Sequence, residues 1–120
     1  PGVCLPALGI YPLDAACSVI HRHPEIWDAE FDPPPVFNVD EEIDYIDAMC
    51  AAGRVAAVGE CGLDRFYVTD QRALDEQERV LLRLIEVAMK HDLPLILHTR
   101  KAEARTLEIL QHCGVEKADF

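Results

Sequence analysis

Positive charge is nearly missing from the first half of this chain. Residues 1–53 carry ten acids and one base, Arg22, and the run from Glu25 to Asp47 holds nine carboxylates without a Lys or Arg. Over all 120 residues, 22 acids face 11 bases, a net charge of -11. A surface of that sign repels phosphate backbones, which argues against a protein that coats nucleic acid. A site that carries its own metal cations escapes that argument. Long apolar runs are missing too. The longest, such as Val55–Val58 and Leu93–Leu97, fall far short of the roughly 20 residues that a membrane helix needs, so no membrane partner is expected. The five cysteines (Cys4, Cys17, Cys50, Cys61 and Cys113) are odd in number and contain no CxxC pair. They read as reduced thiols of a cytoplasmic protein, with the nucleus as the other compartment, and not as a disulfide framework. Pro1-Gly2-Val3-Cys4 offers neither an initiator Met nor the basic-then-apolar order of a signal peptide, so a piece of a longer protein is expected. There is no internal repeat, and Pro33-Pro34-Pro35 is the one low-complexity segment.

Half of the residues are apolar, enough to build a core. Their spacing predicts an order of elements. Val3–Ile10 is a short apolar run, read as a strand near 4–10 despite Pro6. Residues 13–24 read as helical up to Pro24. Residues 28–37 are a loop, because three prolines continue neither a helix nor a central strand. Asn38 or Asp40 can cap a helix over about 39–52 that aligns Val39, Ile43, Ile46 and Cys50 on one face and ends at Gly53. Val55–Gly59 is apolar at every position, the habit of a parallel strand buried on both faces. A long helix over roughly 71–91 carries Leu74, Leu81, Leu84, Ile85 and Ala88 as its stripe. A strand at 94–98 and a helix over about 101–113, with Leu107 and Leu110 inward and Gly114 as its stop, complete the pattern. Strand and helix alternate three times, which predicts α/β architecture with parallel (β/α) units, adjacent strands in chain order and chemistry at the strand ends.

Two strands lead into ionisable residues. Gly59-Glu60-Cys61-Gly62-Leu63-Asp64 reads as a tight turn that sets Glu60 at the strand mouth, where a carboxylate can bridge two divalent cations; the plain alternative is a turn with an exposed acid. Leu97-His98-Thr99-Arg100 places an imidazole at the next strand end, a common zinc or manganese ligand, with Arg100 on the same side as a clamp for phosphate or carboxylate. An ordinary hydrogen-bonded core histidine is the alternative there. His21-Arg22-His23 has a metal-ligand spacing, but no apolar run leads into it, and it reads as solvated surface. His91 and His112 sit in last helical turns and read as structural. Cys61 reads as filling space beside the strand. Trp27 and its acidic neighbours read as a solvated flap.

Together, Ala7–Pro12, Val58–Asp64, Gln77–Leu81 with Ala88, and Leu93–Ala102 resemble the TatD family of metal-dependent hydrolases. The resemblance spans nearly the whole chain except the acidic stretch at about 20–38. It implies part of a TIM-like (β/α)8 barrel with a two-metal centre of zinc, magnesium or manganese at its C-terminal rim. By that resemblance Glu60 bridges the two metals and His98 ligates the second. Asp64, a supporting acid of its motif, and Arg100 would lie toward the substrate. The family's His-x-His pair, a later His and the catalytic Asp have no counterpart here, so no catalytic residue is assigned. A full barrel needs ~250 residues, and residues 1–120 therefore read as a partial one without its N- and C-terminal strands. The chain also has Tyr11 where the family usually has His, and Lys101 where it often has Asp, which bears on substrate contacts.

The activity implied is hydrolysis of phosphodiester bonds in DNA, as by a deoxyribonuclease acting from the 3′ end. An ester or D-aminoacyl-tRNA deacylase is the family's other activity. The rival reading is a non-catalytic fragment or interaction module, which would self-associate through exposed sheet edges.

Overall fold

The computed structural model describes residues 4–115 and 118–119. Val3, where the first apolar run begins, lies outside them. Four strands form one parallel sheet in chain order: β1 (Ala7–Leu8), β2 (Ala57–Asp64), β3 (Leu95–Arg100) and β4 (Ala118–Asp119). Helices fill the connections: α1 (Pro12–Ala15), α2 (Cys17–Arg22), α3 (Val39–Ala51), α4 (Gln71–Lys90) and α5 (Glu103–Cys113). A 3-10 turn at Pro24–Ile26 follows α2, with Pro24 at its first position as its missing N–H requires.

The helix termini follow their capping chemistry. Asn38 Oδ1 accepts the Glu41 N–H at 3.1 Å, and Asp40, Glu41 and Glu42 place negative charge at the positive end of α3. Asp70 caps α4 through the Arg72 N–H at 2.9 Å. Gly114, at φ 71, ends α5 in the left-handed conformation that glycine adopts most freely.

The main core joins Ile43 and Ile46 of α3, Leu81, Leu84 and Ile85 of α4, Val58 and Leu63 of β2, and Leu95 and Leu97 of β3. Burying each Leu or Ile is worth roughly 1.5–3 kcal/mol. The ion pairs between α4 and α3 (Arg79 to Asp40 at 2.9 Å, Lys90 to Asp47 at 3.1 Å) are exposed and worth about 0–1 kcal/mol each. Packing therefore fixes α4, while the pairs answer part of the acidic excess of α3. His91 joins them, its Nε2 2.6 Å from Asp47 Oδ1, and His91 and Lys90 hold the Asp47 carboxyl below its usual range. A second cluster packs Leu13, Val19 and Ile20 of α1 and α2 against Val68 and Ala73, with Trp27 and Tyr67 beside it.

Several expectations need correction. The strand expected at 55–59 starts at Ala57 and runs on to Asp64, so Gly59–Gly62 is not a turn. The pairing instead slips between Gly59 and Cys61, a bulge that leaves Glu60 without a partner on β3. The strand at 94–98 continues to Arg100, and the one at 4–10 shortens to Ala7–Leu8. The first helical segment breaks at Ala16. Leu107 is 48% exposed and faces outward; Thr106, Ile109 and Leu110 form the inner face of α5. Helix α5 starts two residues late because Lys101, at φ 58, interrupts the chain after β3. Trp27 is no free flap: its Nε1 donates to Phe31 O at 2.8 Å and its ring lies 6.2 Å from that of Tyr67. Strand β4 follows a segment with no apolar run to announce it.

Candidate functional site

The glycines of the Glu60 motif serve close packing. A Cβ on Gly9 would sit 2.6 Å from the Glu60 carbonyl oxygen, so only a glycine lets the end of β1 lie against Glu60. Gly62 has φ 149, and a Cβ there would collide with the His98 carbonyl oxygen. Gly62→Ala combines a disfavoured φ with a backbone clash. It is expected to cost about 3 kcal/mol or more, read as a large fall in melting temperature. Gly53→Ala, also at positive φ but with open space around it, is the control and should cost about 1 kcal/mol.

With the strands seated this way, Glu60 is the one exposed residue of an otherwise buried β2. His98 lies on β3 directly beside Gly62 in the register. Its Nε2 is 2.9 Å from Asp64 Oδ2 and 3.1 Å from the Tyr11 hydroxyl, whose ring stacks at a tilt 4.6 Å away. Asp64 is 0% exposed. It sits beneath the surface, with Oδ1 accepting the Phe66 N–H at 2.8 Å and Oδ2 facing His98. A carboxylate only accepts, so Nε2 carries a proton, and in the neutral imidazole the lone pair is then on Nδ1. This is the carboxylate–histidine arrangement that orients a metal-binding imidazole.

Burial first, and then Asp64 and Glu60, push the Tyr11 hydroxyl above its usual pKa, while Arg100 opposes them. Tyr11 thus stays protonated, and Glu60, Asp64, His98 and Arg100 share its neighbourhood. Arg100 is exposed at the end of β3, and its guanidinium lies 3.7 Å from the centre of the Phe66 ring. The Cys61 thiol is pushed up to about 12, chiefly by burial, and stays neutral; it is no nucleophile. His21 is on the surface and His23 lies 3.8 Å from Glu25, as a solvated pair would. Among the described residues no three His, Cys, Asp or Glu side chains converge closely enough to enclose a metal.

Sequence reasoning missed the supports of this site. Gln77, fully buried on α4, accepts the Asp64 N–H at 2.9 Å and donates to the Asp64 carbonyl at 3.2 Å, closing the end of β2 as a strand partner would. A lone amide between Leu74 and Leu81 on an apolar stripe was the available signal. The Phe66–Tyr67 pair gave none, since aromatic rings in loops have no periodicity, and Tyr11 stood out only as a departure from the resembled family.

A parallel α/β sheet with helices in its connections is consistent with a piece of a TIM-like barrel. Comparison with known proteins makes this specific: the chain belongs to the TatD related DNase family, which it matches over residues 1–120. It is 34% identical over 119 residues to the human protein named deoxyribonuclease TATDN3, covering 97% of this chain and 39% of that one. It is 31% identical over 114 residues to the Salmonella typhimurium 3'-5' ssDNA/RNA exonuclease TatD, covering 91% and 42%. A Bacillus subtilis protein, the uncharacterized metal-dependent hydrolase YabD, is 35% identical over 77 residues, 64% of this chain and 29% of that one. The crystal structure of YjjV, a TatD homologue from Escherichia coli K12, superposes with a TM-score of 0.62 at 24% identity, over 90% of this chain and 34% of that one. The chain thus spans about two fifths of the length of the curated relatives TATDN3 and TatD.

Proposed function

We propose that these residues form part of a metal-dependent hydrolase that cleaves phosphodiester bonds of nucleic acid. Glu60 and His98, the latter through Nδ1, would hold divalent cations together with ligands from other strands of the barrel. Such cations, when bound, supply Lewis acidity and a water activated near neutral pH. The chain's own residues do the positioning. Asp64 keeps the His98 proton on Nε2, and Gln77 keeps Asp64 in place. Arg100 offers its guanidinium to a phosphate at the rim. The protonated Tyr11 hydroxyl lies beside His98 as a further hydrogen-bonding group. In this reading the local cations of the rim, protein and metal together, offset the acidic surface that would otherwise repel a polyanion.

The observation that carries the proposal is the buried Asp64 carboxylate on His98 Nε2, one strand away from an exposed Glu60. The names of the relatives agree with it: a deoxyribonuclease, a single-strand exonuclease and a metal-dependent hydrolase. Asp64→Asn tests it. The side-chain amide donates to Nε2, moves the proton to Nδ1 and removes the lone pair a metal needs. Metal affinity, measured by titration calorimetry on the protein as its gene encodes it, is expected to fall about 10–100-fold. Unchanged affinity would contradict the proposed role of His98.

A further inference from the structure

Beyond the metal ligands, the rim carries an aromatic surface. Phe66 follows Asp64 by two residues, donates its N–H to that carboxylate, and is 41% exposed. It meets Tyr67 edge-on at 4.7 Å. Tyr67 packs on the second cluster, which anchors the pair, whereas Phe66 belongs to neither core. Over the Phe66 ring lie two cations, Arg100 at 3.7 Å and Lys101 Nζ at 5.0 Å. Arg72, Arg79, Arg83, Lys90 and Arg105 each lie within 4 Å of a carboxylate. Arg100 and Lys101, like Arg22, Arg54 and Arg65, form no ion pair among the described residues, although the net charge is -11. Unneutralised cations beside an exposed aromatic face suit a ligand that is flat, π-rich and anionic along its backbone, which describes a nucleotide in a single strand.

We propose that Phe66 and Tyr67, with Arg100 and Lys101, form a base-stacking platform that gives the site its preference for single strands. The inference rests on the phosphodiesterase reading above. A ring presented at the rim stacks on an unpaired base, while bases inside a duplex keep their faces covered. The guanidinium plane of Arg100 serves the same stack and also meets the phosphates.

The test is a chemical double-mutant cycle on the protein as its gene encodes it. Binding of a fluorescent single-stranded oligonucleotide is compared with that of the same strand made abasic at its last nucleotides, by anisotropy in EDTA so that nothing is cleaved. Wild type is expected to bind the base-bearing strand about tenfold more tightly than the abasic one, in line with stacking on one aromatic side chain. Phe66→Ala should erase most of that ratio. Phe66→Leu, which keeps the apolar bulk and loses the π face, should do the same with its melting temperature preserved. Phe66→Trp should retain the ratio. A ratio unchanged in the Ala and Leu variants overturns the platform while leaving the hydrolase reading in place. Wild type that binds neither strand, and cleaves neither when magnesium, manganese or zinc is added, overturns both.

Discussion

If the proposed hydrolase reading holds, Glu60→Gln in the intact protein is expected to lower metal-dependent cleavage of a single-stranded oligonucleotide by at least a factor of about 100, whereas His21→Ala leaves it unchanged. The contrast follows from placement. Glu60 is the one exposed residue of a buried strand and sits at a bulge, where its side chain is freed from pairing and re-aimed. The amide is nearly isosteric but uncharged, so a side chain that would hold cations as a carboxylate loses the charge that would bind them. Losses of about 10–100-fold follow from removing groups that merely orient ligands, and a ligand itself should cost more. His21 is on the surface of α2. Similar activities of the two variants, measured as kcat/KM with metal in excess, would remove Glu60 from the site.

The second large effect concerns the 120-residue chain by itself. Incubated with single-stranded DNA or an aryl phosphodiester and magnesium, manganese or zinc in turn, it is expected to show no turnover. Two cations must be held at a fixed separation for in-line displacement, and catalytic zinc sites normally take three protein ligands for one ion. Glu60 and His98 are two. Of the other histidines, His91 is held by Asp47, His21 and His112 stand on helices, and His23 follows α2. Turnover that Glu60→Gln abolishes would show that the chain completes a site by itself, for instance through a second copy joined at the β1 or β4 edge.

The parallel order of the strands was legible because continuous apolar runs alternate with amphipathic stripes, and the caps at Asn38 and Gly114 mark where helices begin and end. The boundaries were less so. Gly59-Glu60-Cys61-Gly62 looks like a turn because glycine permits one, yet here glycine permits three strands to approach, and only the neighbouring backbone distinguishes the two uses. Leu107 appeared inward because it is apolar and lies three residues before Leu110, whereas the buried stripe runs through Thr106, Ile109 and Leu110. Glu60 and His98 stood out as ionisable residues at the ends of apolar runs. Asp64 reads only as a supporting acid of its motif; that it supports His98 shows only in its burial and its bond to that imidazole. Long-range supports of this kind, Asp64 to Gln77 and Tyr11 to His98, leave almost no local trace in sequence.

The central claim is that Glu60 and His98 Nδ1 face a shared metal centre. Anomalous diffraction at the manganese or zinc edge, from crystals of the intact protein grown with that metal, tests it most directly. The account predicts a peak at about 2.0–2.2 Å from both a Glu60 carboxylate oxygen and His98 Nδ1, or from each of two neighbouring ions, with Nε2 still on Asp64. Metal found only at other residues, or at His98 through Nε2 with Asp64 displaced, would contradict it.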